Sequence, residues 1–254
     1  MSSEKSMAIV LRVIEFSETS CIVTLFTQDF GKIGALAKGA RRPKSSFESA
    51  LDLLAVCRIV FLHKSSDALD LLTEAKLERR FRAGSRDLAR LYAGYYVAEL
   101  LREMTETGDP HPDLYAAADE ALLDLERGTA VGPTVLRFEL TTLRLLGHLP
   151  ALHGCAACGE EMELTGRMLF GQVAGGLLCG QCRGGQRQVA SVAAGTVRVL
   201  QQFAAPEDPS WRQVELDAKT RGEVRGLITH YLCNLLDHRP RMHEYLGALA
   251  GTSP

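Results

Sequence analysis

Residues 7–38 read MAIVLRVIEFSETSCIVTLFTQDFGKIGALAK and indicate the fold of the N-terminal part of the chain. They contain three apolar runs separated by brief polar breaks, at 7–15, 19–27 and 30–38. Runs of this length that are rich in Val, Ile, Thr and Phe are typical of β-strands. Two further runs follow, at 51–62 and 67–81. The N-terminal part is therefore predicted to form five strands.

Five strands with a basic, glycine-containing loop after the third suit a small, partly open barrel such as the OB-fold. A five-stranded SH3-like barrel would show the same spacing of strands. The apolar pattern alone leaves both barrels open, and we expect the OB-fold over residues 1–81.

Beyond residue 85 the apolar period changes from that of a strand to that of a helix. Apolar residues recur at i, i+3, i+4 and i+7 from Leu88, after Ser85 as a candidate N-cap. Further helices are predicted at 113–126, 132–147 and 189–203. A last helix is predicted to open at Thr220, which forms a capping-box pattern with Glu223.

These patterns together predict an α+β protein in four parts. An OB-fold β-barrel at 1–81 is followed by an α-helical body. That body is divided into 82–152 and 187–254 by a four-cysteine, zinc-ribbon-like knuckle inserted at 153–186.

Four of the seven cysteines form two CxxC pairs separated by 20 residues: Cys155, Cys158, Cys179 and Cys182. Each pair can place two sulfurs on one side of a metal, and four soft ligands suit tetrahedral Zn²⁺. The residues between the pairs are long enough for a short hairpin that returns the chain to the metal. Four thiolates leave no open position for water, so the pattern predicts one structural zinc ion per chain.

Other interpretations of the cysteines stay open. A thioredoxin-like redox motif would have one CxxC in a βαβ setting, disulfides would need an oxidising compartment, and a degenerate site would no longer hold metal. Cys21, Cys57 and Cys233 stand alone in apolar runs and are expected to be small buried thiols.

Composition excludes several classes of protein. The chain is 46% hydrophobic and 24% charged, which is ordinary for a globular protein. It has no apolar run of 18 residues, and its N-terminus does not read as a signal peptide, so we expect a cytoplasmic, nucleoid-associated protein with no membrane segment. No HExxH, GxSxG or P-loop pattern occurs, and we expect no enzymatic activity.

A formal net charge of −2 hides a basic segment. Residues 31–47 hold five Lys or Arg and no acid. Crowded like charges repel one another unless an anion binds them, and a nucleic-acid backbone is the natural ligand. The candidate DNA contacts in this loop are Lys38, Arg41, Arg42 and Lys44, with a solvated surface loop as the alternative.

A second basic run lies at residues 76–90. Its candidate DNA contacts are Arg79, Arg80 and Arg82, although some of these cations could instead support the junction between barrel and helices. Aromatic residues that could stack on bases are sparse nearby, with Phe30, Phe47 and Phe81 as the candidates. The site is therefore expected to depend more on phosphates than on bases.

The chain resembles the RecO family of recombination mediators. The resemblance rests on the N-terminal barrel, the loop KGARRPKSSF at 38–47, the helical body and the cysteine knuckles between its helices. It implies a non-enzymatic protein that binds single- and double-stranded DNA and anneals complementary strands. It also implies association with RecR and the single-strand-binding protein, help in loading RecA, and RecF as a further candidate partner.

A different nucleic-acid module with an OB barrel and a zinc ribbon, acting in transcription or translation, is the main alternative. It would be expected to show base-stacking aromatics on the barrel and a preference for RNA or for a sequence. The acidic stretch 99–126 has nine Asp or Glu and one Arg, and it fits either a solvated face or a recognition surface.

Overall fold

The computed structural model describes residues 2–43, 45, 47, 50–64, 68–83, 87–206 and 208–249, with side chains in the last helix described through 246. The chain divides into two compact units. The first unit comprises residues 1–131 together with 244–254, and the second comprises residues 132–243. No helix among the described residues is long and apolar enough to cross a membrane.

The first unit contains a closed five-stranded barrel. Its strands are β1 Ser2–Glu15, β2 Cys21–Thr27, β3 Gly31–Ala37, β4 Val56–His63 and β5 Asp70–Arg79. They are hydrogen-bonded in the order β1-β2-β3-β5-β4, and the ring closes between β4 and β1. Neighbours are antiparallel except for β3 and β5, which run parallel. The predicted OB-fold is confirmed.

The barrel interior is filled by alternate residues of each strand. On β3 these are Ile33, Ala35 and Ala37, and the residues between them face outward. Phe47, from the loop before β4, belongs to this core and is only 4% exposed. A pleated strand sends successive side chains to opposite faces, so the interior positions also identify the outer face.

Two helices pack against one end of the outer face. They are α1 Leu88–Met104 and α2 Pro112–Arg127. Phe26 of β2 stacks on Tyr115 of α2, with ring centroids 6.5 Å apart. Gly31 has φ +65, and a Cβ there would lie 2.0 Å from the carbonyl oxygen of Asp109, so only glycine allows this close approach.

The remaining elements come later in the chain: α3 Val131–Leu145, β6 Arg167–Gly171, β7 Gly176–Leu178, β8 Val189–Ala193, α4 Ala194–Ala204, α5 Ala218–Leu236 and α6 His243–Leu249. A short 3₁₀ turn, Pro209–Gln213, precedes α5. The three strands form a sheet in the order β7-β6-β8. The hairpin expected between the two cysteine pairs is β6–β7.

Three local predictions are wrong or fall outside the described residues. The predicted helix at 189–203 begins as strand β8, because residues 189–193 pair with β6, and only α4 is helical. The last helix does not open at Thr220 as predicted. Its first residue is Ala218, and its N-cap is Asp217, whose side chain accepts from the N–H groups of Lys219 and Thr220. Ser85 lies outside the described residues, and the N-cap of α1 is Asp87.

Glu223, the other half of the predicted capping box, makes a tertiary contact instead. Its carboxylate accepts hydrogen bonds from the backbone N–H of Ala193 at 2.9 Å and from the hydroxyl of Thr196 at 2.7 Å. It also forms an ion pair with Arg167 at 2.8 Å. These donors, led by the Ala193 N–H, lower the pKa of Glu223 to about 2. The carboxylate thereby joins β6, β8 and α5.

Candidate metal centre and nucleic-acid interface

The four sulfurs of the two CxxC pairs come together in the second unit. The Sγ atoms of Cys155, Cys158, Cys179 and Cys182 all lie within 4.8 Å of one another. Two of them, from Cys158 and Cys179, are 3.9 Å apart. A Zn–S bond of about 2.3 Å implies an S–S edge of roughly 3.8 Å in a tetrahedron, so the donor set fits a four-coordinate metal.

Backbone hydrogen bonds place the two pairs side by side. The first knuckle is closed by the N–H of Gly159, which donates to the carbonyl of Cys155 at 2.8 Å, and Gly159 has φ +76. The N–H of Ala156 donates to the carbonyl of Leu177 in β7 at 2.7 Å, and this strand leads directly to Cys179. The hairpin therefore returns the chain to the first pair, as the spacing predicted.

The thiols of the cluster differ in pKa because their neighbouring groups differ. The backbone N–H of Cys179, 3.4 Å from the sulfur of Cys155, is the largest of the contacts that lower the pKa of Cys155 to about 6. The neighbouring thiol of Cys179 is the main cause that raises the pKa of Cys182 to about 12. Four thiolates this close together repel one another, and a bound cation would offset that repulsion.

Three cations of the first basic segment lie at one edge of the barrel, and we call Lys38, Arg41 and Arg42 the basic edge. All three side chains are exposed. The loop turns back on itself through the N–H of Arg42, which donates to the carbonyl of Gly39 at 3.1 Å. Lys44, the fourth candidate, lies outside the described residues. Among those described, no carboxylate pairs with Lys38 or Arg42.

The basic edge is tied to the β1–β2 turn. The N–H of Arg41 donates to the carbonyl of Thr19 at 2.9 Å, and the N–H of Gly39 donates to the hydroxyl of Ser20 at 3.2 Å. The guanidinium of Arg41 also pairs with Glu15 at 2.9 Å. The segment 31–47 contains no acidic residue, and the fold places Glu15 of β1 beside it.

Lys32, the fifth cation of the segment, faces elsewhere. Its ammonium donates to the carbonyls of Arg102, at 2.5 Å, and Thr105, at the C-terminal end of α1. Burial lowers the pKa of Lys32. This lysine caps a helix and is not part of the basic edge.

The second basic run is largely engaged within the first unit. Arg79 forms ion pairs with Asp119 and, at 3.5 Å, with Glu126. Arg90 donates to the carbonyls of Leu125, Gly128 and Thr129, where α2 ends. The backbone N–H of Arg82 donates to Glu126, and Arg80 and Arg82 make further side-chain or electrostatic interactions. Two acids of the stretch 99–126, Asp119 and Glu126, thus bind arginines of the second basic run within the same unit.

The aromatic candidates named from the sequence are engaged in packing. Phe47 is in the barrel core, and Phe30 packs edge-on against Phe61 with centroids 5.3 Å apart. The ring of Phe81 packs closely against Gly94 of α1. The exposed aromatic beside the basic edge is Phe16, which is 62% exposed. Sequence reasoning missed Phe16 because it lies in a short polar break between two predicted strands.

Comparison with known proteins gives similarity over both units. The family profile "Recombination protein O N terminal" matches residues 1–81, and "Recombination protein O C terminal" matches residues 85–244. The DNA repair protein RecO of Rhodopirellula baltica is 41% identical over 265 residues, which cover 94% of this chain and 97% of that protein. The DNA repair protein RecO of Moorella thermoacetica is 31% identical over 244 residues, covering 96% and 90%. The corresponding protein of Anaeromyxobacter dehalogenans is 30% identical over 249 residues, covering 98% of each chain.

Proposed function

Since the chain belongs to the RecO family, we propose that it is a DNA repair and recombination mediator that binds single- and double-stranded DNA and anneals complementary strands. In this role it helps load RecA together with RecR on DNA coated by single-strand-binding protein, with RecF as a further candidate partner. The proposal includes no catalysis of bond cleavage by the chain itself.

The observation that carries the DNA-binding part is the basic edge on an OB barrel. Lys38, Arg41 and Arg42 project into solvent from one loop, and exposed cations that neutralise phosphates release counterions. Because this gain does not depend on base identity, the proposed binding is independent of sequence. Both single strands and duplexes offer the phosphates that such an edge requires.

Annealing follows from the same arrangement. Two complementary strands repel each other, and this repulsion together with lost translational freedom forms the barrier to pairing. A basic edge that neutralises phosphates lowers the barrier while leaving base edges available. No nucleotide is consumed, since the driving force is the pairing of the strands.

The test is to mix labelled complementary strands with stoichiometric protein, without nucleotide, and to follow duplex formation. We expect faster annealing than in a protein-free control, with most of the acceleration lost in the variant Lys38→Ala, Arg41→Ala, Arg42→Ala. An annealing rate equal to the control, at protein concentrations where both strands are bound, would rule out the annealing function and leave a passive DNA-binding protein.

For the cysteine cluster we propose one structural Zn²⁺ per chain, held by Cys155, Cys158, Cys179 and Cys182. Four thiolates at this spacing suit zinc, and the ion would lock the β6–β7 hairpin to the first knuckle. Metal analysis should find one zinc per chain. Cys158→Ser should lower the free energy of unfolding by roughly 3 kcal/mol or more, since loss of a metal site is among the causes of the largest single-residue effects. Well under one zinc with four titratable thiols would refute the proposal.

A further inference from the structure

The outer face of the barrel carries an apolar row next to the basic edge. Ile14 of β1 lies opposite Ile22 of β2, and Ile22 lies opposite Leu36 of β3. Directly opposed residues share a face of the sheet. The next row along, Val23 with Ala35, belongs to the buried core, so the row of Ile14, Ile22 and Leu36 faces outward.

This row is exposed to solvent although it is apolar. Ile14 is 40% exposed, and Ile22 and Leu36 are half-buried. Leu69 extends the patch: it is 38% exposed and covers Gly34, where a Cβ would lie 3.1 Å from its Cδ2. Three side chains on adjacent strands and a fourth from the residue that precedes β5 thus form one apolar strip, which we define as Ile14, Ile22, Leu36 and Leu69.

Phe16 continues the strip at the end of β1. It follows Ile14 by two residues, and its N–H donates to the carbonyl of Ser20 at 3.0 Å, which extends the β1–β2 pairing by one step. The hydroxyl of Ser20 in turn accepts from Gly39, in the loop of the basic edge. The most exposed aromatic residue described in the barrel therefore lies in the turn that follows the strip on β1 and that is hydrogen-bonded to the loop of the basic edge.

The charges around the strip favour an anionic polymer on one side. Arg12 precedes Ile14 by two residues on the exposed side of β1, and Lys38 follows Leu36 by two residues on β3. Of the two acids nearby, Glu15 is paired with Arg41, and Glu18 lies at the tip of the β1–β2 turn. A phosphate chain is therefore attracted along the side of Lys38 and Arg42 and repelled from the tip.

We propose that this face binds unpaired nucleotides, with one base stacked on Phe16, neighbouring bases over the apolar strip, and the phosphates on the basic edge. This inference rests on the proposed DNA-binding function and deepens it. The combination of cations with an exposed ring and an adjacent apolar surface suits single-stranded nucleic acid, whose bases have accessible faces. A duplex exposes phosphates but conceals those faces, so the strip adds affinity only for single strands.

The experiment measures binding of the full chain to three probes of equal length: oligothymidylate, the same strand with abasic sites, and a duplex. Phe16→Ala should weaken binding to oligothymidylate by roughly tenfold, since stacking on an aromatic ring typically contributes this much per base. Binding to the abasic strand and to the duplex should be unchanged. Val173→Ala is the matched control, because Val173 is 66% exposed in the second unit.

Phe16→Trp supplies a direct signature of stacking. Trp211, the one native tryptophan, is 4% exposed, so its emission in the unmodified chain serves as the blank. We expect Phe16→Trp to retain the affinity of the unmodified chain and to show added quenching with oligothymidylate that the abasic strand does not cause.

The outcomes separate this inference from the proposed function. If the unmodified chain binds none of the three probes, both fail. If it binds them but Phe16→Ala weakens all three equally, or none, only the base-binding face is overturned. A change in self-association with Phe16→Ala, at unaltered affinity for single strands, would assign the strip to contacts between copies of the chain and overturn the proposal.

Discussion

The two basic regions of the first unit look alike in the sequence and differ in the structure. The basic edge, Lys38, Arg41 and Arg42, points into solvent from a loop. Arg79 and Arg90 of the second run bind carboxylates and carbonyls of α2 and the residues that follow it. Cations that are engaged within the fold hold elements together, whereas exposed cations can meet phosphates from outside.

The role of a run of cations therefore depends on which groups the fold places opposite it. Arg90 lies where the carbonyls at the end of α2 need donors, and a guanidinium with five N–H groups supplies three of the bonds. The basic edge is opposed by a single described carboxylate, Glu15, in an exposed pair with Arg41. Exposed pairs contribute little to stability, so that contact can yield to a phosphate.

Among substitutions in the two basic regions, the largest effect is expected for Arg90→Ala. Loss of three charge-assisted hydrogen bonds leaves carbonyls at the end of α2 without these donors, and the free energy of unfolding should fall by about 3 kcal/mol. Urea denaturation measures this loss. DNA affinity, measured well below the unfolding transition, should be unchanged. An intact stability with weakened DNA binding would reverse the roles assigned to the two regions.

Arg79→Met should have the next largest effect. The methionine keeps much of the apolar stem but leaves Asp119 and Glu126 without their cation, which should lower stability by about 2 kcal/mol. The double variant Arg79→Met, Asp119→Asn should recover part of this loss, because one of the unpaired charges is removed. Additive losses in thermal or urea unfolding would show that the pair is not coupled.

Lys38→Ala with Arg42→Ala should leave stability within about 0.5 kcal/mol, as is usual for exposed positions. The affinity for single-stranded DNA should fall by roughly tenfold at moderate salt, since two phosphate contacts are lost. Fluorescence anisotropy with a labelled strand measures this change. Arg127→Ala, which removes an exposed cation at the end of α2, is the matched control. An equal loss in the control would indicate a general charge effect.

The smallest effect is expected for Glu15→Gln. Removing the acid that pairs with Arg41 frees this guanidinium for phosphate, so DNA affinity should rise by about twofold, the scale of an exposed ion pair. The comparison with Glu18→Gln, at the tip of the same turn, separates the loss of the pair from the loss of one negative charge. Equal increases in both variants would make the Glu15–Arg41 contact irrelevant to binding.

Short-range patterns in the sequence predict the fold and the four-cysteine cluster well. Each CxxC pair lies in a local turn, and the hairpin between the pairs joins residues that are close in the sequence. The cluster could therefore be predicted without knowledge of long-range contacts. The sequence predicts a helix over strand β8 because residues 189–203 are rich in Val, Ala and Leu and have no proline or charged residue at the Ala193–Ala194 junction. The apolar pattern of such a stretch does not distinguish a strand from a buried helix.

The candidate nucleic-acid face needed the register of the barrel. Neither the Glu15–Arg41 pair nor the row through Ile22 follows from spacing along the chain, because each joins strands whose alignment is set by packing of the core. Lys32 illustrates the same point, since its role depends on where α1 ends. The sequence indicates that cations are present, and the fold determines which of them face solvent.

The salt dependence of single-strand binding measures whether the basic edge, and not the second basic run, contacts the phosphates of DNA. Log affinity should be measured against log salt for the unmodified chain, for Lys38→Ala, Arg41→Ala, Arg42→Ala, and for Arg90→Ala. We expect the slope to flatten by about 2 in the triple variant, at roughly 0.7 per lost phosphate contact, and to stay the same in Arg90→Ala. An unchanged slope in the folded triple variant, with a flattened slope in Arg90→Ala, would contradict this expectation.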